Sequence, residues 1–301
     1  MSLPIPTPRL DGYTTSTSIP LYWREDGPVD APPLMLLHGG PGAHHDYLYP
    51  QMLALSATHR VITYDQRGGG RSRTDDPTPI TWRTQVEDLA AVLRELDASE
   101  RGVTHDGVRH DGVTLVGYSW GALLAMLYVT EQRRHPSWPA VRRLALISPA
   151  PITRAWRDQF EAELAARQRG PVIQSLREAL TASGLRESDP AQYRQRSFEL
   201  SVAGYFADPH RAESLTAFRV TGKVQQSIWE SLGNFDLRDE LRAVHLPVLV
   251  VHGRNDPIPL DSAEAAATAL DGRLVVLDDC GHVPYVEQPQ ALFDAMQRFL
   301  G

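Results

Sequence analysis

Three residues of the types that together perform nucleophilic catalysis stand in one order along this chain: Ser119, Asp256 and His282. Ser119 is the centre of Gly117-Tyr118-Ser119-Trp120-Gly121, a G-x-S-x-G pentapeptide. The pentapeptide alone is common, and its setting gives it weight. An apolar run, Val113 to Val116, feeds it, and a helical pattern, Ala122 to Val129, leaves it. That is the strand–turn–helix placement a nucleophile elbow requires. A serine on so sharp a turn sits in a strained backbone, so the residues two away must be small. Gly117 and Gly121 meet that need.

A serine hydroxyl needs a base, and the base needs an orienting carboxylate. Asp256 follows the apolar run Val248 to Val251, in Arg254-Asn255-Asp256-Pro257. His282 follows the last apolar run, in Asp278-Asp279-Cys280-Gly281-His282. The rival acid position, after Leu144 to Ile147, reads Ser148-Pro149-Ala150 and has no carboxylate. Asp278, Asp279 and Glu287 are read as capping and loop groups, and Cys280 as a packed small residue. The segment His38-Gly39-Gly40-Pro41-Gly42 closes an earlier run. Its glycines allow a tight turn beneath the serine, where the Gly40 amide pairs with that of Trp120 as an oxyanion hole. It lacks the features of a phosphate-binding glycine loop.

These residues need a scaffold that delivers them from the ends of strands. Short apolar runs recur at Leu34–Leu37, Val61–Tyr64, Val113–Val116, Leu144–Ile147, Val248–Val251 and Leu274–Leu277. Several are apolar throughout, as strands buried on both faces should be. Helical patterns separate them: Thr81–Leu96 with Val86, Leu89, Leu93 and Leu96 on one face, then Ala122–Val129, Ala263–Leu270 and Ala291–Leu300. The alternation predicts a mainly parallel sheet with helical crossovers. It breaks between about Pro151 and Asp236, where Arg154–Arg169 and Val172–Ser183 read as helices of an insertion.

HGGPG at 38–42, YDQRGGGRS at 64–72 and GYSWG at 117–121 together resemble the α/β-hydrolase fold, and within it the proline iminopeptidase family of serine peptidases. HGGPG followed by His45-Asp46-Tyr47-Leu48 is similar to the aminopeptidase branch related to the tricorn-interacting factor. The resemblance implies an eight-stranded, mainly parallel sheet flanked by helices, with a helical cap after the sixth strand. It divides the chain into core (1–148), cap (149–236) and core (237–301). It also implies a turn at Asp65-Gln66-Arg67-Gly68 beside the site. Aminopeptidases of this branch hold the substrate ammonium with cap glutamates. Counting back from Phe235-Asp236, the matching position here is Gln225, in Gly222-Lys223-Val224-Gln225-Gln226. A neutral amide thus replaces the carboxylate that would compensate a buried ammonium; Glu199, Glu213 or Glu230 are the substitutes on offer.

The chain has 301 residues, 42 % of them hydrophobic and 22 % charged, which excludes wholesale disorder. Its net charge of −7 disfavours nucleic acid and anionic membrane surfaces as partners. A single cysteine, Cys280, permits no intrachain disulfide. The start, MSLPIPTP, has no basic and apolar leader pattern, so a cytoplasmic location is expected. Only one lysine, Lys223, stands among 30 basic residues, a composition bias. The echo of His105-Asp106-Gly107-Val108 in His110-Asp111-Gly112-Val113 is read as a surface loop, not a metal site.

The expectation is a serine hydrolase of small ester or amide substrates, acting through an acyl-enzyme and needing no metal or organic cofactor. An aminopeptidase releasing N-terminal proline or small apolar residues competes with a carboxylesterase, a lactonase or a cofactor-free perhydrolase. A non-catalytic binding protein of the same fold is the other class, one that usually loses a triad member. Ser119 argues against epoxide hydrolases and dehalogenases, which need aspartate there. The partner expected is a small molecule or short peptide; the oligomeric state is open.

Overall fold

The computed structural model describes residues 5–76, 78–96 and 112–301. Residues 105–111 of the His-Asp echo lie outside the described residues. Eight strands form one sheet in the order β1-β2-β4-β3-β5-β6-β7-β8. They are β1 (Leu10–Tyr13), β2 (Tyr22–Asp26), β3 (Pro33–Leu37), β4 (Arg60–Tyr64), β5 (Val113–Tyr118), β6 (Val141–Ile147), β7 (Val248–Gly253) and β8 (Arg273–Leu277). From β4 through β8 every pairing is parallel; β1 and β2 add an antiparallel edge.

Every residue of β3, β4, β5 and β7 is buried. Strand alternation splits them between two cores. Met35 and Leu37 join one, with helices α1 (Trp82–Glu95), α2 (Trp120–Gln132) and α9 (Leu260–Ala269). Leu34 and Leu36 join the other, with α11 (Pro289–Leu300). Helix α1 begins at a reciprocal cap between Thr81 and Thr84 and buries Val86, Leu89, Val92 and Leu93. Each such side chain contributes about 1.5–3 kcal/mol. Helix α2 is buried on all sides from Trp120 to Thr130. That explains its lack of an amphipathic pattern.

The β1–β2 edge carried no apolar run. Strand β2 reads Tyr-Trp-Arg-Glu-Asp, and Arg24, Glu25 and Asp26 are buried within it. Their charges are paired: Arg24 donates to Asp26 at 2.7 and 2.8 Å, and Arg60 to Glu25 at 2.7 Å.

Between β6 and β7 run α3 (Arg154–Gln168), α4 (Pro171–Ala182), the one-turn α5 (Leu185–Ser188), α6 (Pro190–Val202), α7 (Gly222–Leu232) and the short α8 (Arg238–Arg242). The two ends of this stretch meet. Thr153 bridges to Asp236, the Arg154 amide donates to the Phe235 carbonyl at 2.9 Å, and the Leu237 amide to Ile152 at 3.0 Å. After β8 a loop enters the one-turn α10 (Pro284–Glu287). Among the described residues no helix is long and apolar enough to cross a membrane, and no group of three metal-ligating side chains is assembled.

Candidate active site

Ser119 sits between β5 and α2 at φ 54°, ψ −118°, a left-handed backbone rare for a residue with a side chain. The neighbours allow it only by being glycine. A Cβ on Gly117 would lie 2.5 Å from the backbone of Ala122, and one on Gly121 2.1 Å from the Leu37 carbonyl. The Ser119 amide donates to Ile147 at 2.9 Å, and its carbonyl accepts from Ala150 at 3.0 Å, so both strand ends grip the turn.

The structure brings Ser119, His282 and Asp256 together. The Ser119 hydroxyl donates to His282 Nε2 at 3.0 Å, and His282 Nδ1–H donates to Asp256 Oδ2 at 2.8 Å. Asp256 follows β7, and its other oxygen accepts the Ile258 amide at 2.8 Å. Burial by itself would raise the Asp256 carboxyl. The positive character of His282, then of His252, together with hydrogen bonds from His282 and the Ile258 amide, holds it below the usual range. It therefore stays an anion.

His252 lies in β7 with its Nδ1 3.8 Å from Asp256, while its Nε2–H donates to the Ile258 carbonyl at 3.1 Å. The sequence reading assigned it no role; its place at the last inward position before the Asp256 turn was the available signal. Glu287 was read as a loop group, and it is a specific one. It is buried, and its carboxylate accepts the amides of Gly281 (2.9 Å) and Val283 (3.3 Å), on either side of His282, and of Ala207 (2.8 Å) in the insertion. Burial pushes its carboxyl up despite these three donors. Burial likewise pushes the Cys280 thiol up, which fits a packed residue and not a nucleophile.

The glycine loop after β3 lies against the serine: a Cβ on Gly39 would approach Ser119 Cβ to 2.8 Å. The Gly39 amide is taken by Tyr47 Oη at 2.6 Å, which leaves Gly40, at φ 55°, as the next residue in line. Trp120 opens α2, where backbone N–H groups have no acceptor within the helix. Its indole donates to Gln66 at 2.9 Å, and Gln66 donates to the His38 carbonyl at 2.8 Å. The Gln66 amide also donates to His38 Nε2 at 3.1 Å, so His38 is a neutral imidazole with Nδ1–H donating to Gly39 O. Burial lowers the His38 pKa to about 4, which agrees. The Asp65–Gly68 turn thus ties both halves of this region together.

The insertion touches the site directly. Tyr205 accepts the His282 amide at 2.7 Å, and its ring lies 5.3 Å from the imidazole. Trp229 of α7 meets Trp120 edge-on at 5.2 Å, and Arg157 of α3 stacks over Trp229 at 3.6 Å. Phe218 packs on Tyr47 at 4.4 Å. Beside these contacts lies an open groove of about 1330 Å³, lined from the loop after β4 by Arg71 and Arg73, from α6 by Arg194 and Phe198, and from the segment leading into α7 by Phe218 and Arg219. The structure does not bring the named acids and amide into it. Gln225 and Glu230 are exposed on α7, on turns that face solvent, and Glu230 accepts from Gln226 at 2.7 Å. Glu199 is buried behind Gln195 and is held by Arg196 at 2.8 Å, against a separate 240 Å³ cavity that Glu213 also lines. Of that segment, Lys223 and Val224, near the α7 start, line the groove.

The model of the alpha/beta hydrolase family matches residues 34–295, from β3 into α11. A proline iminopeptidase of Lactobacillus delbrueckii subsp. bulgaricus is 26 % identical over 281 residues, covering 86 % of each chain. The solved structure of a proline iminopeptidase-related protein from Thermus thermophilus superposes with a TM-score of 0.69 at 24 % identity, over 97 % of this chain and 96 % of that one. Another, described as an N-acyl homoserine lactone degrading enzyme, gives 0.62 at 20 % identity over 96 % and 100 %. With its sheet order, its strained serine between two obligatory glycines and this match over most of its length, the chain belongs to the alpha/beta hydrolase family.

Proposed function

We propose that this protein is a serine hydrolase that cleaves small esters or amides through an acyl-enzyme. Ser119 is the nucleophile, His282 the general base and acid, and Asp256 the anion that orients it. The amides of Gly40 and Trp120 receive the oxyanion. The observation that carries this reading is the unbroken relay from Asp256 through His282 to a serine held in a strained elbow. As Ser119 Oγ adds to the substrate carbonyl, its proton passes to His282 Nε2, and the imidazolium is stabilised by Asp256. The carbonyl oxygen gains charge against the two amides. His282 then gives its proton to the departing alcohol or amine, and a water, activated in the same way, releases the acid. The stretch 149–236 acts as a lid, supported by the Tyr205, Phe218 and Trp229 contacts.

The relatives named proline iminopeptidase support amide cleavage. The exposed Gln225 and the Arg196-bound Glu199 support esters, because neither stands ready to neutralise an incoming ammonium. Carboxylesterase, lactonase and perhydrolase chemistry all use the same relay. Ser119→Ala should lower kcat on 4-nitrophenyl butyrate by about 10⁴ or more and abolish labelling by a fluorophosphonate. Near-wild-type turnover in that variant, with an unchanged circular dichroism spectrum, would refute the assignment. Proline 4-nitroanilide measured beside the butyrate ester decides between amide and ester.

A further inference from the structure

Resting on the hydrolase reading above, we infer that the groove beside the glycine loop selects substrates carrying an anionic group, such as a carboxylate, remote from the scissile bond. The groove is lined by five cations, Arg71, Arg73, Arg194, Arg219 and Lys223, and by three carboxylates, Asp46, Asp75 and Asp76. Arg71 is spent on Asp46, with guanidinium contacts at 3.0 and 3.1 Å. Asp76 is turned back into its own loop, where it accepts the Thr78 amide at 2.8 Å. Arg73, Arg194, Arg219 and Lys223 form no hydrogen bond or ion pair with any of the described residues, and all four are exposed at the rim. In a chain of net charge −7, four unspent cations facing two carboxylates are a local reversal of sign.

Their placement connects them to the reacting centre. Arg219 and Lys223 flank Thr221, whose amide donates to the Gly42 carbonyl at 2.9 Å, so this segment is seated on the glycine loop itself. Between them, Val220 Cγ2 lies 4.0 Å from where a Cβ of Gly40 would stand. Phe218, which also lines the groove, packs on the Tyr47 whose hydroxyl receives the Gly39 amide. Arg194 comes from α6 on the opposing wall and Arg73 from the loop after β4. The cations therefore come from three segments onto one groove, whose Ala217–Thr221 wall is hydrogen-bonded to the glycine loop after β3. A free ammonium in this groove meets like charge; a carboxylate meets opposite charge. The same preference arises whether the anion sits on the acyl or the alcohol portion of the substrate, and two substrate pairs separate those cases.

The test compares kcat/KM at 20 and 300 mM NaCl for three 4-nitrophenyl esters, the hexanoate, the monoadipate and the 6-aminohexanoate. A second pair, phenyl hexanoate and 4-(hexanoyloxy)benzoate, places the carboxylate on the leaving group. Steering by such a field is worth about tenfold or more, and a Debye length of ~5–6 Å at 300 mM removes most of it. The expected result is that the carboxylate member of at least one pair is preferred about tenfold at 20 mM salt. That preference should shrink to under threefold at 300 mM, with the 6-aminohexanoate the poorest of its set. In a folded Arg219→Gln/Lys223→Gln variant the ratio of the favoured anionic ester to its neutral counterpart should drop at least fivefold. Equal turnover within each pair, a preference untouched by salt, or preference for the 6-aminohexanoate would overturn the inference while leaving the hydrolase reading intact. If no ester is turned over, the hydrolase reading is what has failed. Titration calorimetry with adipate then decides the charge preference by itself: salt-sensitive binding supports it, and no binding overturns it.

Discussion

Asp65 shows how much a single buried group contributes. It is fully enclosed and accepts from the His45 ring at 2.7 Å, the His45 amide at 3.1 Å and the Arg71 amide at 2.8 Å. Burial would raise its carboxyl; the His45 hydrogen bond and charge, then His38 and the Arg71 amide, outweigh it and hold the group well below the carboxylate range. A depressed folded-state value favours the native state above the unfolded value and loses that contribution as pH falls through the folded one. Urea unfolding should therefore show the wild type losing more stability than Asp65→Asn between pH 5 and pH 2. Parallel losses in the two proteins would remove Asp65 as the cause. Gln225→Glu, by contrast, should leave the ratio of proline anilide to butyrate ester within about twofold, because the side chain faces solvent. At this scale the chain was legible where chemistry constrains neighbours. Gly117 and Gly121 betray Ser119 because no side chain fits beside it. Gln225 could have been placed outward, since Val224, Ile228 and Trp229 form the apolar stripe that α7 buries; the burial of Glu199 could not, since it is a carboxylate covered through its bonds to Gln195 and Arg196.

Among the elements, the turn from β8 into α10 and the helix α2 are the most exacting. Glu287 collects three backbone amides around His282, and a glutamine in its place turns a donor toward one of them. Glu287→Gln should lower kcat about tenfold or more with little change in KM, and destabilise the fold by about 1–3 kcal/mol; steady-state kinetics with thermal melts checks both. A pure stability loss with full kcat would show that the loop holds its histidine by other means. Gly121→Ala forces a Cβ into the Leu37 carbonyl, a change expected to cost about 3 kcal/mol or more and visible as a lowered Tm. The apolar runs inside β3, β4, β5 and β7 could be read directly, because strands buried along their whole length carry few polar residues to confuse them. Strands β1 and β2 could not, because β1 is not buried and β2 buries charges that pair with each other, as Arg24 with Asp26, or with Arg60, 35 positions from Glu25.

For the whole molecule, the stretch 149–236 and the rest of the chain share contacts around Ser119 and His282: Tyr205 with His282, Trp229 with Trp120, Ala207 with Glu287. The two should unfold as one cooperative unit, with tryptophan fluorescence and far-ultraviolet circular dichroism giving superimposable urea transitions. An earlier fluorescence transition would mean that this stretch melts alone. The narrow neck at Thr153 and Asp236 carries a further meaning. The chain leaves the sheet after Ile147 and regains it at Val248, and within that stretch Thr153 and Asp236 are bridged, so to the rest of the backbone the excursion between them is equivalent to a side loop closed at its base. Its length and composition can change without altering any strand register, because both anchor points are already joined. Inheritance of the scaffold and inheritance of the excursion are in this sense separable, and a lineage can exchange one while keeping the other. Family resemblance in the sheet then reports the turn that presents the serine, while the bond attacked and the molecule that carries it are left to the walls around that turn.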